Sequence, residues 1–293
     1  MAINVKRNSL AKQIAKRRWL RRLPWFDLPA RAFIETDNAR LFVDLGDWHG
    51  PSYHLLNWGL ASYEPDNLRF LEQCLALNPE GVFFDVGANI GIFAFQLARK
   101  FPGLTVHAFE PDQTNVDCLN ETFARNAFPH VNVHQLALSE KKGEAIFYAD
   151  EDNHGGHSLN VNSILDEGNR VHHKITVLTD TLDGFMRDHA VDRLDVIKLD
   201  VQRHEGELLS GAHETIDRCR PIVLMECYFK ELCESDSKLL RPFLEKDYAV
   251  IEPSSHRRHE MTTEALKSLD DGKRSFCDLA FIPEEKFRPL AKL

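Results

Sequence analysis

One short run constrains the fold of this chain more than any other: Phe83-Phe84-Asp85-Val86-Gly87-Ala88-Asn89-Ile90-Gly91. Val82–Val86 is a mostly apolar stretch of strand length, and residues 91–100 carry Phe93 and Leu97 at helical spacing. Gly87 lets the backbone turn tightly and come close to a ligand. Gly91 opens a helix whose first N–H groups are free to face that ligand. Thr105–Phe109 then reads as a second strand, 114–126 as a second helix and 131–138 as a third strand. Strands alternating with helices predict an α/β fold, a mostly parallel central sheet with helices on both faces.

The rest of the chain fits around this unit. Residues 64–77 read as a helix with Leu68, Leu71 and Leu75 on one face, 40–44 as a short strand and 45–62 as turn-rich. Downstream, 143–148 reads as an extra strand and 150–169 as a polar loop. A strand at 195–199 ends on Asp200, a helix covers 204–218, and a buried strand at 222–225 ends on Glu226-Cys227-Tyr228. A helix near 236–245 and strands near 248–251 and 277–282 close the pattern. The expected division is an N-terminal basic segment and extension over 1–62 and one domain over 63–293.

The glycine run is not a dinucleotide fingerprint. In G-x-G-x-x-G terms the middle glycine is Asn89, and the last glycine comes one residue early. Asp85 would oppose a pyrophosphate but welcome an ammonium group. The run therefore suits a cationic nucleoside better than NAD, which argues against an NAD-dependent oxidoreductase. Glu110 ends the second strand, 19 residues past Gly91, where an acid commonly hydrogen-bonds ribose hydroxyls.

Charge bears on partners. Lys6, Arg7, Lys12, Lys16, Arg17, Arg18, Arg21 and Arg22 fall within residues 1–26 with no acid. The remainder must carry about −17, the net −9 less these eight positive charges. A body that acidic repels phosphate backbones, so no nucleic acid is expected. Residues 8–23 read as a basic helix of modest amphipathicity, with three open roles. These are a solvated tail, a peripheral membrane contact over residues 6–26 through Trp19, Trp25 and Phe26, and packing on the domain or a second subunit of a homo-oligomer. No apolar run approaches the ~18 residues of a membrane span, and the N-terminus is too basic for a secretory signal. The six cysteines show no C-x-x-C spacing and read as reduced thiols. The expectation is a cytoplasmic protein, with the inner membrane surface open through the tail.

Taken together, Asp85-Val86-Gly87-Ala88-Asn89-Ile90-Gly91, Phe109-Glu110-Pro111 and the upstream Tyr63-Glu64-Pro65 resemble the FkbM-type methyltransferases of the class I superfamily. Ala137-Leu138-Ser139, Gly155-Gly156-His157-Ser158-Leu159, Asp180-Thr181-Leu182-Asp183, Ile197-Lys198-Leu199-Asp200-Val201, Arg220-Pro221-Ile222 and Glu226 extend the resemblance over about residues 60–230. It implies a Rossmann-like class I methyltransferase fold, S-adenosylmethionine as cofactor, and O-methylation of a hydroxyl on a sugar, glycan or natural product. By position, Asp85, Gly87, Asn89 and Gly91 then cradle the methionine end, Glu110 holds the ribose, and Ala137 and Leu138 lie near the adenine, with Asp200 at the same rim. The family continues Asp-Val-Glu-Gly-His-Glu after the fourth strand, whereas this chain has Asp200-Val201-Gln202-Arg203-His204-Glu205. An altered acceptor is one reading, and an anionic one would suit Arg203.

Methyl transfer from a sulfonium relies on positioning, and a hydroxyl acceptor also needs a base. His204 is the first candidate, with an ordinary pKa of ~6.5. Asp200 and Glu205 are candidates to orient it or replace it, although Asp200 also suits a helix cap. Glu226 either lines the acceptor pocket or bonds nearby backbone. His154, His157, His172 and His173 flank the polar loop at spacings that match no metal pattern, so no metal is expected. N-methylation and a non-catalytic nucleotide-binding scaffold are the alternatives.

Overall fold

The computed structural model describes residues 3–4, 30–36, 39–47, 49–149, 153, 155–166, 171, 173–234, 237–244 and 246–290. The basic helix expected at 8–23, and the tail contacts built on it, lie outside these residues.

The first strands are peripheral. Strand β1 (Ile3–Asn4) pairs with β2 (Arg31–Thr36), which turns back into β3 (Ala39–Asp44). Helix α1 (Pro51–Trp58) follows where turns were expected. Asp47 explains it: its carboxylate accepts the Gly50 and Ser52 N–H groups, and Pro51 then takes the first helical position. Helix α2 (Pro65–Ala76) leads into the regular alternation. This runs β4 (Val82–Val86), α3 (Ile92–Lys100), β5 (Thr105–Phe109), α4 (Gln113–Asn126) and β6 (Val131–His134).

The third strand stops earlier than expected. Its last residues become β7 (Ala137–Leu138), which joins β8 (Gly143–Ala149) and β9 (His173–Asp180) in a separate three-stranded sheet. Helix α5 (Val161–Asp166) lies between β8 and β9. The chain continues through α6 (Leu182–Asp188), β10 (Val196–Leu199), α7 (Glu205–Ser210), α8 (His213–Cys219) and β11 (Ile222–Tyr228). The single helix expected at 204–218 is two. The Gly211 carbonyl is taken by the Asp183 N–H, and a Cβ on Gly211 would lie 2.3 Å from the Ser139 carbonyl oxygen. Helix α9 (Phe229–Leu232), strands β12 (Tyr248–Glu252) and β13 (Arg257–His259), helix α10 (Thr263–Lys267), strand β14 (Phe276–Pro283) and helix α11 (Glu284–Leu290) complete the chain. Residues 238–244 form turns rather than the helix read at 236–245.

The central sheet has the order β13-β12-β14-β11-β10-β4-β5-β6. Strands β11, β10, β4, β5 and β6 run parallel to one another, and β14 runs antiparallel to β11 and β12. Successive side chains of β4 serve opposite faces, as strand geometry requires. Phe83 enters a core with α1 to α4 and the β2–β3 hairpin, while Phe84 enters one with α6 to α10. Helices thus cover both faces of a mostly parallel sheet, a Rossmann-like α/β architecture. Among the described residues, no helix is long and apolar enough to cross a membrane.

Candidate active site

The chain leaves β4, builds β5 and β6 on one side, then returns through β10 to the other. Open parallel sheets bind ligands at such a switch point, outside the carboxyl ends of the strands. A cavity of about 790 Å³ lies there. Asp85 to Asn89 line it from β4, Phe109 to Pro111 from β5, Leu136 to Leu138 from the β6–β7 connection, and Lys198 and Asp200 from β10. Gly155, His157 and Leu159 close it from the loop after β8.

Asp85 is 1% exposed. Its Oδ2 accepts the Ala94 N–H at 3.1 Å, capping the first turn of α3, while its Oδ1 meets no hydrogen-bond partner among the described residues. Burial raises its pKa to about 6, against the pull of Lys198. Glu110 is 4% exposed, and burial pushes its carboxyl up to about 8. Its Oε2 accepts the Asn89 N–H at 2.9 Å and its Oε1 the Asp112 N–H at 2.8 Å. Glu110 therefore ties the end of β5 to the glycine turn, and the Asn115 side chain of α4 donates to it as well.

The structure adds a packing reason for each glycine. Gly87 has φ +80°, and a Cβ there would lie 1.8 Å from the Asp200 carbonyl oxygen. Its missing side chain makes room for the end of β10, and the residue lines the cavity. Gly91, at φ +85°, caps α3 and leaves space for Leu119 of α4, which a Cβ would meet at 2.4 Å. Asn89 takes a left-handed φ of 50° between them. Ala137 and Leu138 are buried and line the cavity.

Lys198 belongs to the site although its motif alone assigns it no role. It is a lone charge in the apolar strand Val196-Ile197-Lys198-Leu199, which is the signal that marks it. The register sets it beside Asp85 on β4. Only 5% exposed, its Nζ lies 2.8 Å from Asp200 Oδ2 and 4.6 Å from the centre of the Phe93 ring. Burial opposes the charge on Asp200, but Lys198 prevails and holds that carboxyl below the ordinary range. Gln202 Nε2 donates to the other Asp200 oxygen at 2.9 Å.

Lys198 and Asp200 also line a second cavity, of about 430 Å³, with Glu64, Glu226 and Asp278. Glu226 and Asp278 are directly opposite on β11 and β14, an unfavourable pairing of like charges. Burial, then Asp200, Glu205 and Asp278, push the Glu226 carboxyl well up, and its Oε1 has no hydrogen-bond partner among the described residues.

His204 lies elsewhere in the site. It lines the first cavity but not the second, with Nε2 2.9 Å from Ser139 Oγ beside Ala137 and Leu138. Glu205 is 0% exposed and lines neither cavity; its Oε1 accepts the Val201 N–H. Arg203 is buried, its Nε 3.0 Å from Glu231 Oε1 and its guanidinium over the Tyr228 ring, so it does not offer itself to an anionic acceptor. Among the described residues no group of His, Cys, Asp and Glu is placed to hold a metal, and His154 and His172 lie outside them.

Glu205 leads to a pH prediction. Burial pushes its folded pKa up to about 8, whereas an unfolded Glu ionises near ~4.3. The folded chain then holds a proton that the unfolded chain releases. Stability from this group is present below the unfolded pKa and lost as pH rises through about 8. Glu205→Gln should flatten this fall and exceed wild type at pH ~8.5 by roughly 1–3 kcal/mol in urea unfolding. Parallel pH profiles for the two proteins would refute it.

A family model described as the methyltransferase FkbM domain matches residues 85–250, more than half of the chain. The chain belongs to the FkbM methyltransferase family. This FkbM-family chain is 31% identical to the AMB antimetabolite synthetase AmbE of Pseudomonas aeruginosa over 183 residues, 51% of the chain and 8% of that protein. It is 27% identical over 172 residues to the 31-O-demethyl-FK506 methyltransferase FkbM of Streptomyces tacrolimicus, 50% of the chain and 64% of that protein. With the 2-O-methyltransferase NoeI of Sinorhizobium fredii it shares 25% identity over 170 residues, 55% of the chain and 69% of that protein. The crystal structure of methyltransferase FkbM from Methylobacillus flagellatus superposes with a TM-score of 0.43 at 20% identity, covering 69% of this chain and 43% of that one.

Proposed function

We propose that this chain transfers a methyl group from S-adenosylmethionine to a hydroxyl of a sugar, glycan or natural product. The observation that carries the reading is the second cavity, which shares Lys198 and Asp200 with the donor cleft and contains Glu226. The names of relatives that O-methylate, among them the FK506 and NoeI enzymes, support it.

The donor fits the first cavity chemically. Asp85 Oδ1, buried without a partner, suits the amino group of the methionine end. Glu110 suits the ribose, and Ala137 and Leu138 offer an apolar wall for the adenine. S-adenosylmethionine supplies a methyl group on a sulfonium, so the leaving group needs no further activation. Glu226 would take the proton of the acceptor hydroxyl as that methyl is transferred, the products being a methyl ether and S-adenosylhomocysteine. Asp200 is a poorer base, because Lys198 holds it ionised. His204, bonded to Ser139 in the donor cleft, serves the donor side. N-methylation is the second reading, favoured by the carboxylates of the acceptor cavity, which also suit an amine.

Calorimetry with S-adenosylmethionine tests the donor half, and labelled-methyl transfer to paired alcohols and amines tests the acceptor half. Glu110→Ala should weaken donor binding about tenfold, since a hydrogen bond contributes ~0.5–1.5 kcal/mol. The Asn89 and Asp112 N–H groups also lose their acceptor. An unchanged dissociation constant with an intact circular dichroism spectrum would sink the assignment.

A further inference from the structure

The run Gln202-Arg203 replaces the Glu-Gly of the family pattern, and both residues take left-handed backbone, with φ of 55° and 65°. Side chains other than glycine rarely adopt this region. Arginine stands where glycine is the easier residue, so its side chain must offset the strain. Its Nε donates to Glu231 Oε1 at 3.0 Å, and its guanidinium lies 5.1 Å from the centre of the Tyr228 ring. Its Nη1 reaches the Asn162 carbonyl at 3.4 Å.

The strained turn is also where the roof of the donor cleft attaches. Ser158 Oγ donates to the Gln202 carbonyl at 2.6 Å, and Asn160 Nδ2 to the Arg203 carbonyl at 3.0 Å. Gly155, His157 and Leu159 of that same segment line the cavity. Tyr228 ends β11, the strand that carries Glu226, and Glu231 lies in α9 directly after it. One side chain therefore joins the roof over the donor to the turn behind the acceptor strand.

We propose that Arg203 is a positioning residue, a clamp that holds segment 155–162 closed over the donor cleft by tying it to Tyr228 and Glu231. The inference rests on the donor reading of that cleft for its effect on affinity, but not for its effect on the roof. Arg203 touches no reacting atom. It acts by lowering the cost of ordering the roof when the donor binds.

The test is Arg203→Gly, which accepts the left-handed backbone and removes the guanidinium. Hydrogen exchange on the protein without donor should show faster exchange at the amides of 155–162. The S-adenosylmethionine dissociation constant should rise about tenfold, the scale of ordering one or two free side chains. The donor KM should rise with kcat little changed, and the melting temperature should stay near that of wild type. A residue that only stabilised the fold would lower the melting temperature and leave KM alone. Arg203→Lys, which keeps a cation for Glu231, should fall between wild type and Arg203→Gly. Glu231→Gln should act in the same direction, and the double variant should be no worse than Arg203→Gly. Wild-type exchange at 155–162 in both single variants would overturn the clamp. A wild-type chain that failed to bind S-adenosylmethionine would overturn the donor reading, while the exchange measurement still decides the clamp.

Discussion

Gly87→Ala is expected to destabilise the fold and remove donor binding together. The added Cβ would lie 1.8 Å from the Asp200 carbonyl oxygen, a contact of backbone with backbone that no rotamer change relieves. The conflict cannot relax by moving either segment alone. Asp200 N–H donates to the Val86 carbonyl, and the Gly87 N–H donates to the Phe109 carbonyl, so the turn is pinned on both sides. A φ of +80° adds strain for any residue with a side chain. Overpacking and backbone strain each cost ~1–3 kcal/mol, so a total loss of more than about 3 kcal/mol is expected. Urea unfolding gives the stability, and calorimetry at low temperature gives donor affinity in whatever folded fraction remains. A wild-type midpoint would show that β4 and β10 do not meet at this turn.

Glu226→Gln is expected to slow methyl transfer by ~100–10,000-fold, the range of general-base catalysis. Donor affinity should stay within about twofold, because Glu226 lines the second cavity and not the first. The pH dependence separates a base from a mere pocket wall. Burial and then the neighbouring carboxylates raise the Glu226 pKa well above the usual range. The carboxyl is protonated and inactive as a base at low pH, and the rate climbs as it ionises. In Glu226→Gln that climb should vanish while a residual rate persists. Single-turnover transfer against pH is the measurement, with an alcohol acceptor found by the labelled-methyl screen. If the variant keeps the wild-type rate and profile, the proton leaves by another route. His204→Ala is the informative control, since a histidine bonded to Ser139 in the donor cleft should leave the profile in place.

The two sites differ in how far the chain alone announces them. The donor half is local. Asp85, Gly87, Asn89, Gly91 and Glu110 sit in one strand-turn-helix-strand unit, and the period of its apolar residues predicts the sheet and the helices around it. Local hydrogen bonds and the twofold alternation of Phe83 and Phe84 are short-range properties, so spacing along the chain carries them. The helix α1 was legible in principle from Asp47 and Pro51, but the neighbouring glycines read as turns.

The acceptor half depends on register. Glu64, Lys198, Glu226 and Asp278 come together because β10, β11 and β14 align and the N-terminus of α2 reaches their edge. Residues so far apart in the chain share no spacing rule. The reason for each glycine was likewise tertiary. Only the approach of Asp200 to Gly87 and of Leu119 to Gly91 shows which atoms forbid a side chain. Arg203 shows the same division: the chain reveals that it departs from the family pattern, but only packing against Tyr228 and Glu231 turns it away from the substrate. The sequence alone thus determined the parallel α/β frame and the donor motif, because periodicity and turn chemistry act over a few residues. Tertiary structure decided which charges meet, because strand pairing and burial join positions that the chain keeps far apart.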